Sequence, residues 1–240
     1  MLSGILVVTA AIVAGAVAAV TGFGIGSLLT PVFFTLFVDT KLAVAAVSIP
    51  HAIGTAVRFW MLKGSVDRRV LWTFGLTSAA GGLAGALLQN QTDNRWLTIV
   101  FGILLLVAAA AELTGSTRWI RFRGAGAWMA GALSGLLGGL VGNQGGIRSA
   151  ALLGFNLRKE TFVATATAIA LFVDGARVPV YVATEGHDML VMSASIAAAT
   201  GGVVAGTVLG SGALRRIPEA WFRRVLALLL VALGILMLTR

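Results

Sequence analysis

The chain has 240 residues, 58% of them hydrophobic, with 18 cationic and 9 acidic side chains and a mean hydropathy of +0.95. Soluble domains carry about 25% charged residues and this chain carries 11%, which excludes a soluble globular protein, a disordered chain and a nucleic-acid binder. The net charge of +9 sits in short clusters between apolar runs, as in membrane loops, and with no Cys there are no disulfides, thiolate nucleophiles or Cys metal sites.

About 20 apolar residues span a bilayer, and apolar stretches fill nearly the whole chain. Residues 2–38 form a first apolar unit, broken at Thr21-Gly22-Phe23-Gly24-Ile25-Gly26-Ser27. Spans are predicted over 42–62, 70–88 and 96–114. A second broken unit covers 125–156, interrupted at Gly138-Gly139 and at Gly142-Asn143-Gln144-Gly145-Gly146. Further spans are predicted over 161–183, 189–210 and 220–238, leaving His187 in a loop. The 31 Gly suit closely packed membrane helices, and the Trp residues near span ends read as interface anchors.

The two halves, 1–117 and 118–240, match at an offset of about 120 residues. Gly22-Phe23-Gly24-Ile25-Gly26 aligns with Gly142-Asn143-Gln144-Gly145-Gly146, and Gly81-Gly82 with Gly201-Gly202. Small departures from that offset bring Arg58 to Arg177, Lys63-Gly64 to Glu185-Gly186, and Trp96 to Trp221.

Cytoplasmic loops collect Lys and Arg. If every apolar unit crosses once, the two sides hold seven and eight cations, and there is no bias. If each broken unit enters and leaves on one side, with the N-terminus outside, twelve cations lie inside and three (Lys41, Arg95, Arg240) outside. The expectation is therefore an all-α polytopic membrane protein of two inverted repeats. Each repeat is a re-entrant broken-helix hairpin followed by three transmembrane helices, an arrangement found in secondary transporters.

Non-helical backbone at membrane depth is tolerated where it lines a cavity or is buried in protein. A helix starting after each break aims free N–H groups and a positive dipole end at it, which suits a small anion. Candidate contacts are the backbone of Gly22, Gly24, Gly26, Gly142, Gly145 and Gly146, with the donors Thr21, Ser27, Asn143 and Gln144. Arg148, in the first turn of the second half-helix, aligns with Leu28 and has no cationic counterpart. His51, Thr55 and Arg58 share one helix face, while Asp174 and Arg177 are placed to pair at i, i+3. Arg58 and Arg177 are expected as collars at opposite mouths, and His51 either packs or carries a proton. The structural alternative for these residues is helix packing at the glycines and snorkelling at the arginines.

At these motifs the chain resembles the sulfite exporter TauE/SafE family of permeases. The resemblance rests on Gly22-Phe23-Gly24-Ile25-Gly26, Gly142-Asn143-Gln144-Gly145-Gly146 and Gly81-Gly82-Leu83-Ala84-Gly85-Ala86, and covers essentially the whole chain. Two departures are Gly-Ile-Gly in place of three glycines in the first repeat, and Ala151 where the first repeat has Pro31. The resemblance implies transport of sulfur oxyanions or organosulfonates (sulfite, thiosulfate, sulfoacetate) across the inner membrane. The expected partners are a small anion and the lipid bilayer, with no nucleic acid, no cofactor and no catalytic residue, and with homodimerisation left open. The alternatives are an anion channel on the same scaffold and, at a distance, a membrane-embedded enzyme.

Overall fold

In lipid a backbone must satisfy its own polar groups, and this apolar chain does so by winding into helices. The computed structural model describes residues 2–37, 39–114, 124–142, 145–153, 155, 157–213 and 219–239, with no strand among them. In chain order the helices are α1 (Leu2–Thr21), α2 (Ile25–Phe37), α3 (Thr40–Leu62), α4 (Arg68–Gln91), α5 (Asn94–Thr114), α6 (Ala125–Val141), α7 (Gly145–Leu153), α8 (Lys159–Val191), α9 (Ser193–Ala213) and α10 (Glu219–Thr239). Within α4, Leu71–Gly75 winds as a π-helix. Asp39 and Asp67 cap α3 and α4, each accepting a bond of 2.9 Å from the backbone N–H three residues on. Among the described residues six helices are long and apolar enough to cross a membrane, and the chain is a multi-pass membrane protein.

The breaks are shorter than the sequence suggests. Only Gly22–Gly24 separate α1 from α2, and Gly138-Gly139 lie inside α6 instead of interrupting it. Gly22 and Gly142 each follow a helix end with φ of +82° and +73°. There each amide returns to a carbonyl four residues back, Ala18 and Gly138 respectively. This left-handed cap is open to glycine at little cost. A second difference is α8, which runs 33 residues without interruption. Glu185 and His187 are thus helical, and the predicted spans 161–183 and 189–210 meet at a turn around Met192 instead.

The packing has a simple rule. α1 lies along α9 and α4 along α6; α3 contacts α9 and α4 contacts α8; α2 contacts α3 and α7 contacts α8; and α3 pairs with α8, α5 with α10. Moving five helices along the chain turns each contact into another on the same list, or into itself. Glycine lets these helices touch by backbone: Gly135 and Gly139 of α6 sit on the carbonyls of Ser78 and Gly82 in α4, and Gly206 of α9 on that of Ile12 in α1. The self-matched pairs run antiparallel. His51 meets Asp174 while Arg58 meets Thr167, and Gly102 meets Leu238 while Gly234 meets Leu106. Large apolar side chains such as Leu87, Val107, Leu209 and Leu228 are exposed, as a lipid-facing surface requires. Trp60, Trp72, Trp96, Trp128 and Trp221 are exposed near helix ends.

Candidate functional site

The last carbonyls of a helix have no partner inside it, and those of α1 and α6 lie among buried and half-buried residues. The cap amides of Gly22 and Gly142 reach the Ala18 and Gly138 carbonyls, and side chains from other helices add a second donor there and reach neighbouring carbonyls. Arg58 of α3 donates through Nη1 to the Ala18 carbonyl at 2.7 Å and through Nη2 to that of Gly22 at 3.4 Å. Arg177 of α8 donates through Nη1 to the Gly138 carbonyl at 2.5 Å. The Tyr181 hydroxyl donates to the Gly139 carbonyl, and Gln89 Nε2 to that of Leu140 at 3.0 Å. Arg58 and Arg177 are 3% and 1% exposed. The expected collars at two mouths are therefore interior clamps, each holding the end of a broken helix.

Thr21 is also absorbed by the break. Its hydroxyl lies 3.0 Å from the Val17 carbonyl and 2.6 Å from that of Phe23, and accepts from the Phe23 amide at 3.2 Å. Gly24 has φ of +123° and packs on Val17. Across the protein the two breaks touch. A Cβ at Gly26 would overlap the carbonyl oxygen of Gly142, and one at Gly145 would overlap the Phe23 side chain. Ser27 is buried in the first turns of α2, and Gly146 lies in the first turn of α7. Asn143 and Gln144 lie outside the described residues.

Beside the breaks stands a buried charge cluster. The i, i+3 pair forms: Asp174 Oδ1 accepts from Arg177 Nε at 3.0 Å and lies 2.8 Å from its Nη2. Its other oxygen, Oδ2, is 2.7 Å from His51 Nδ1. Arg58 Nε donates to Thr167 Oγ1 at 2.9 Å. Arg148, in α7, is 1% exposed, and among the described residues neither its Nε nor its Nη1 has a hydrogen-bond partner. Thr55 Oγ1 on α3, fully buried, is likewise without one. The charges of Arg58, Asp174 and Arg177 all act on Arg148. Three buried guanidinium groups thus stand with one buried carboxylate among the described residues, and of the three only Arg177 pairs with it directly. An uncompensated charge in the membrane interior is costly, and this arrangement is chemically suited to receive an anion.

Sequence reasoning brought together His51, Thr55 and Arg58, but not the partners of His51 and Arg58 across α8. It also missed Tyr181 and Gln89. One signal pointed to Tyr181: it is the single tyrosine of the chain, one turn beyond Arg177 on the same helix. Nothing distinguished Gln89 from a polar residue at a span end.

No curated protein matches this chain, and no solved structure does. The family model for sulfite exporter TauE/SafE matches residues 7–237. With that match running almost end to end, the chain belongs to the sulfite exporter TauE/SafE family, whose members transport sulfur anions across membranes.

Proposed function

We propose that this protein is a secondary carrier for a small sulfur oxyanion or organosulfonate, bound where the two helix breaks meet. The observation that carries the reading is Arg148. A fully buried guanidinium in the first turn of α7 with two idle donor nitrogens needs an acceptor, and an oxyanion supplies several. Family membership narrows the anion to sulfur chemistry.

The carrier reading includes two inverted repeats, α1–α5 and α6–α10. Its support is the exchange of packing partners between halves and the antiparallel course of α3 against α8 and α5 against α10. Loop contacts agree with the charge count. Lys41 bonds to Asn90 and Asn94 at one end, and Ser65 bonds to Glu160 at another, so the loops group as the charge count groups them; the count itself carries the proposal of an inner-membrane protein with its N-terminus outside.

The test is equilibrium binding of sulfite, thiosulfate, sulfoacetate, sulfate and chloride to the purified protein, with Arg148→Met alongside. A hydrogen bond to a charged group is worth about 1.5–3 kcal/mol, or roughly ten- to a hundredfold in affinity. Arg148→Met is expected to lose at least that much affinity for the preferred anion. Without anion it is expected to unfold no more easily than the parent, because the charge removed was uncompensated. Unchanged affinity in Arg148→Met moves the anion away from Arg148 and ends this reading.

A further inference from the structure

His51 is a buried group that the anion reading does not use. It stands at the crossing of α3 and α8, with Nδ1 on Asp174 Oδ2 at 2.7 Å, while Arg177 occupies Oδ1. The charges acting on it are Asp174, Arg177 and Arg58. Of the other helices packed on α3, the described parts of α2, α6 and α9 carry no titratable side chain, and α5 carries Arg95 and Glu112 near its two ends. Lys63 follows α3 at its C-terminus. Arginine stays charged at any working pH, and Asp174 is held between two donors. Histidine alone in this cluster belongs to the class that changes charge between about pH 5 and 8.

The sign of the effect follows from the geometry. With His51 neutral, Nδ1–H donates to Asp174, whose negative charge also serves Arg177, Arg58 and Arg148. A proton on Nε2 leaves the Asp174 contact in place but adds a positive charge that draws on the same carboxylate. Arg148 and Arg58 are then less compensated, and an anion beside them is held more tightly. Linkage makes the effect mutual: a bound anion favours the proton to the same extent. We propose that His51 is a proton site, and that the carrier binds and moves its anion together with a proton held there. This rests on the anion reading above. It departs from the plainer role of His51 as a packing residue that donates to Asp174 whatever the pH.

The experiment measures anion affinity and proton uptake together in weakly buffered detergent solution, from about pH 6 to about pH 8, for the parent chain and His51→Gln. Thiosulfate and sulfite are the probes. Thiosulfate stays fully ionised in this range; sulfite titrates, so it is read as the difference between the two chains. The parent is expected to bind up to about tenfold more tightly per unit fall in pH where one proton is linked, and to take up a proton on binding. His51→Gln is expected to bind at every pH as weakly as the parent does at the alkaline end, with no linked proton. In vesicles, a pH gradient is expected to concentrate anion on the alkaline side for the parent but not for the variant. Binding by the parent without proton uptake overturns the proposal whether or not the variant folds. A pH slope retained in His51→Gln overturns it too. Failure of both probes to bind at any pH sinks the anion reading instead, and this proposal with it.

Discussion

The ends of α1 and α6 are closed alike, and their surroundings are not. Each has a left-handed glycine, Gly22 or Gly142, and each has an arginine from the third helix of its half on the carbonyl four residues before that glycine. Around this common frame the halves diverge. Thr21 ties the first break to its own backbone; Val141 stands at the matching place, and Tyr181 and Gln89 reach in from α8 and α4 instead. Leu28 matches Arg148, and Thr55 matches Asp174. The shared residues, the two arginines among them, build the breaks, while Arg148, Asp174 and His51 have no counterpart of their kind in the other half. A duplicated scaffold thus holds one lopsided charge cluster, formed by His51 and Arg58 from one half and Arg148, Asp174 and Arg177 from the other.

The test with the largest expected effect asks whether the halves are inverted at all. The chain has no Cys, so single cysteines report cleanly. Gly64 has open space around it and lies near the Glu160 end of α8 through Ser65. His187 is exposed some 27 residues further along α8, roughly 40 Å away at about 1.5 Å per residue. Gly64→Cys and His187→Cys are expected to react with a membrane-impermeant maleimide from opposite faces of oriented vesicles. Reaction of both from one face breaks the comparison.

Next in size is the contact between the breaks. Gly26→Val is expected to abolish transport in proteoliposomes, since its side chain would occupy the place of the Gly142 carbonyl. Transport at the parental rate would show that the two breaks do not need to touch.

The arginine clamps should differ in strength, which sharpens the comparison. Arg177→Gln leaves Asp174 a buried carboxylate with His51 as its remaining direct partner among the described residues, a change that costs about 3–5 kcal/mol when a buried ion pair is broken. Arg58→Gln takes the side-chain donor from the Gly22 carbonyl and leaves that of Ala18 its cap amide, at about 1–3 kcal/mol. Thermal unfolding of the purified variants is expected to rank Arg177→Gln as the less stable. The reverse order would mean that Asp174 contributes little to holding the second half.

The smallest effect is expected from Tyr181→Phe. One neutral hydrogen bond contributes about 0.5–1.5 kcal/mol, so this variant should unfold slightly earlier than the parent while binding anion normally. A larger loss of affinity than of stability would place Tyr181 nearer the anion than its bond to Gly139 indicates.

Much of this was legible in the sequence because membranes simplify the code. Apolar length set the helices, paired glycines set the breaks, and i, i+3 spacing set Asp174 against Arg177. What was hidden had physical causes. His51 and Asp174 are 123 residues apart, and no local period joins them. Arg58 and Arg177 read as mouth residues because free arginines seek water, yet here the carbonyls of two helix ends, with room for a second donor, took that place. The polar run Thr184-Glu185-Gly186-His187-Asp188 reads as a loop, but a polar helix is equally well solvated, and α8 continues through it.

The backbone contact of Gly26 with Gly142 has a genetic consequence. A side chain at position 26 meets a carbonyl oxygen, an atom that every amino acid carries. No replacement at position 142 could make room, so a defective allele at 26 has no compensating allele at its contact. Suppressors would arise elsewhere, in residues that let a whole helix shift, such as those lining the seams of α2 with α3 or of α6 with α4. A mutational scan of this chain is therefore expected to show codon 26 as fixed and without a single epistatic partner at codon 142.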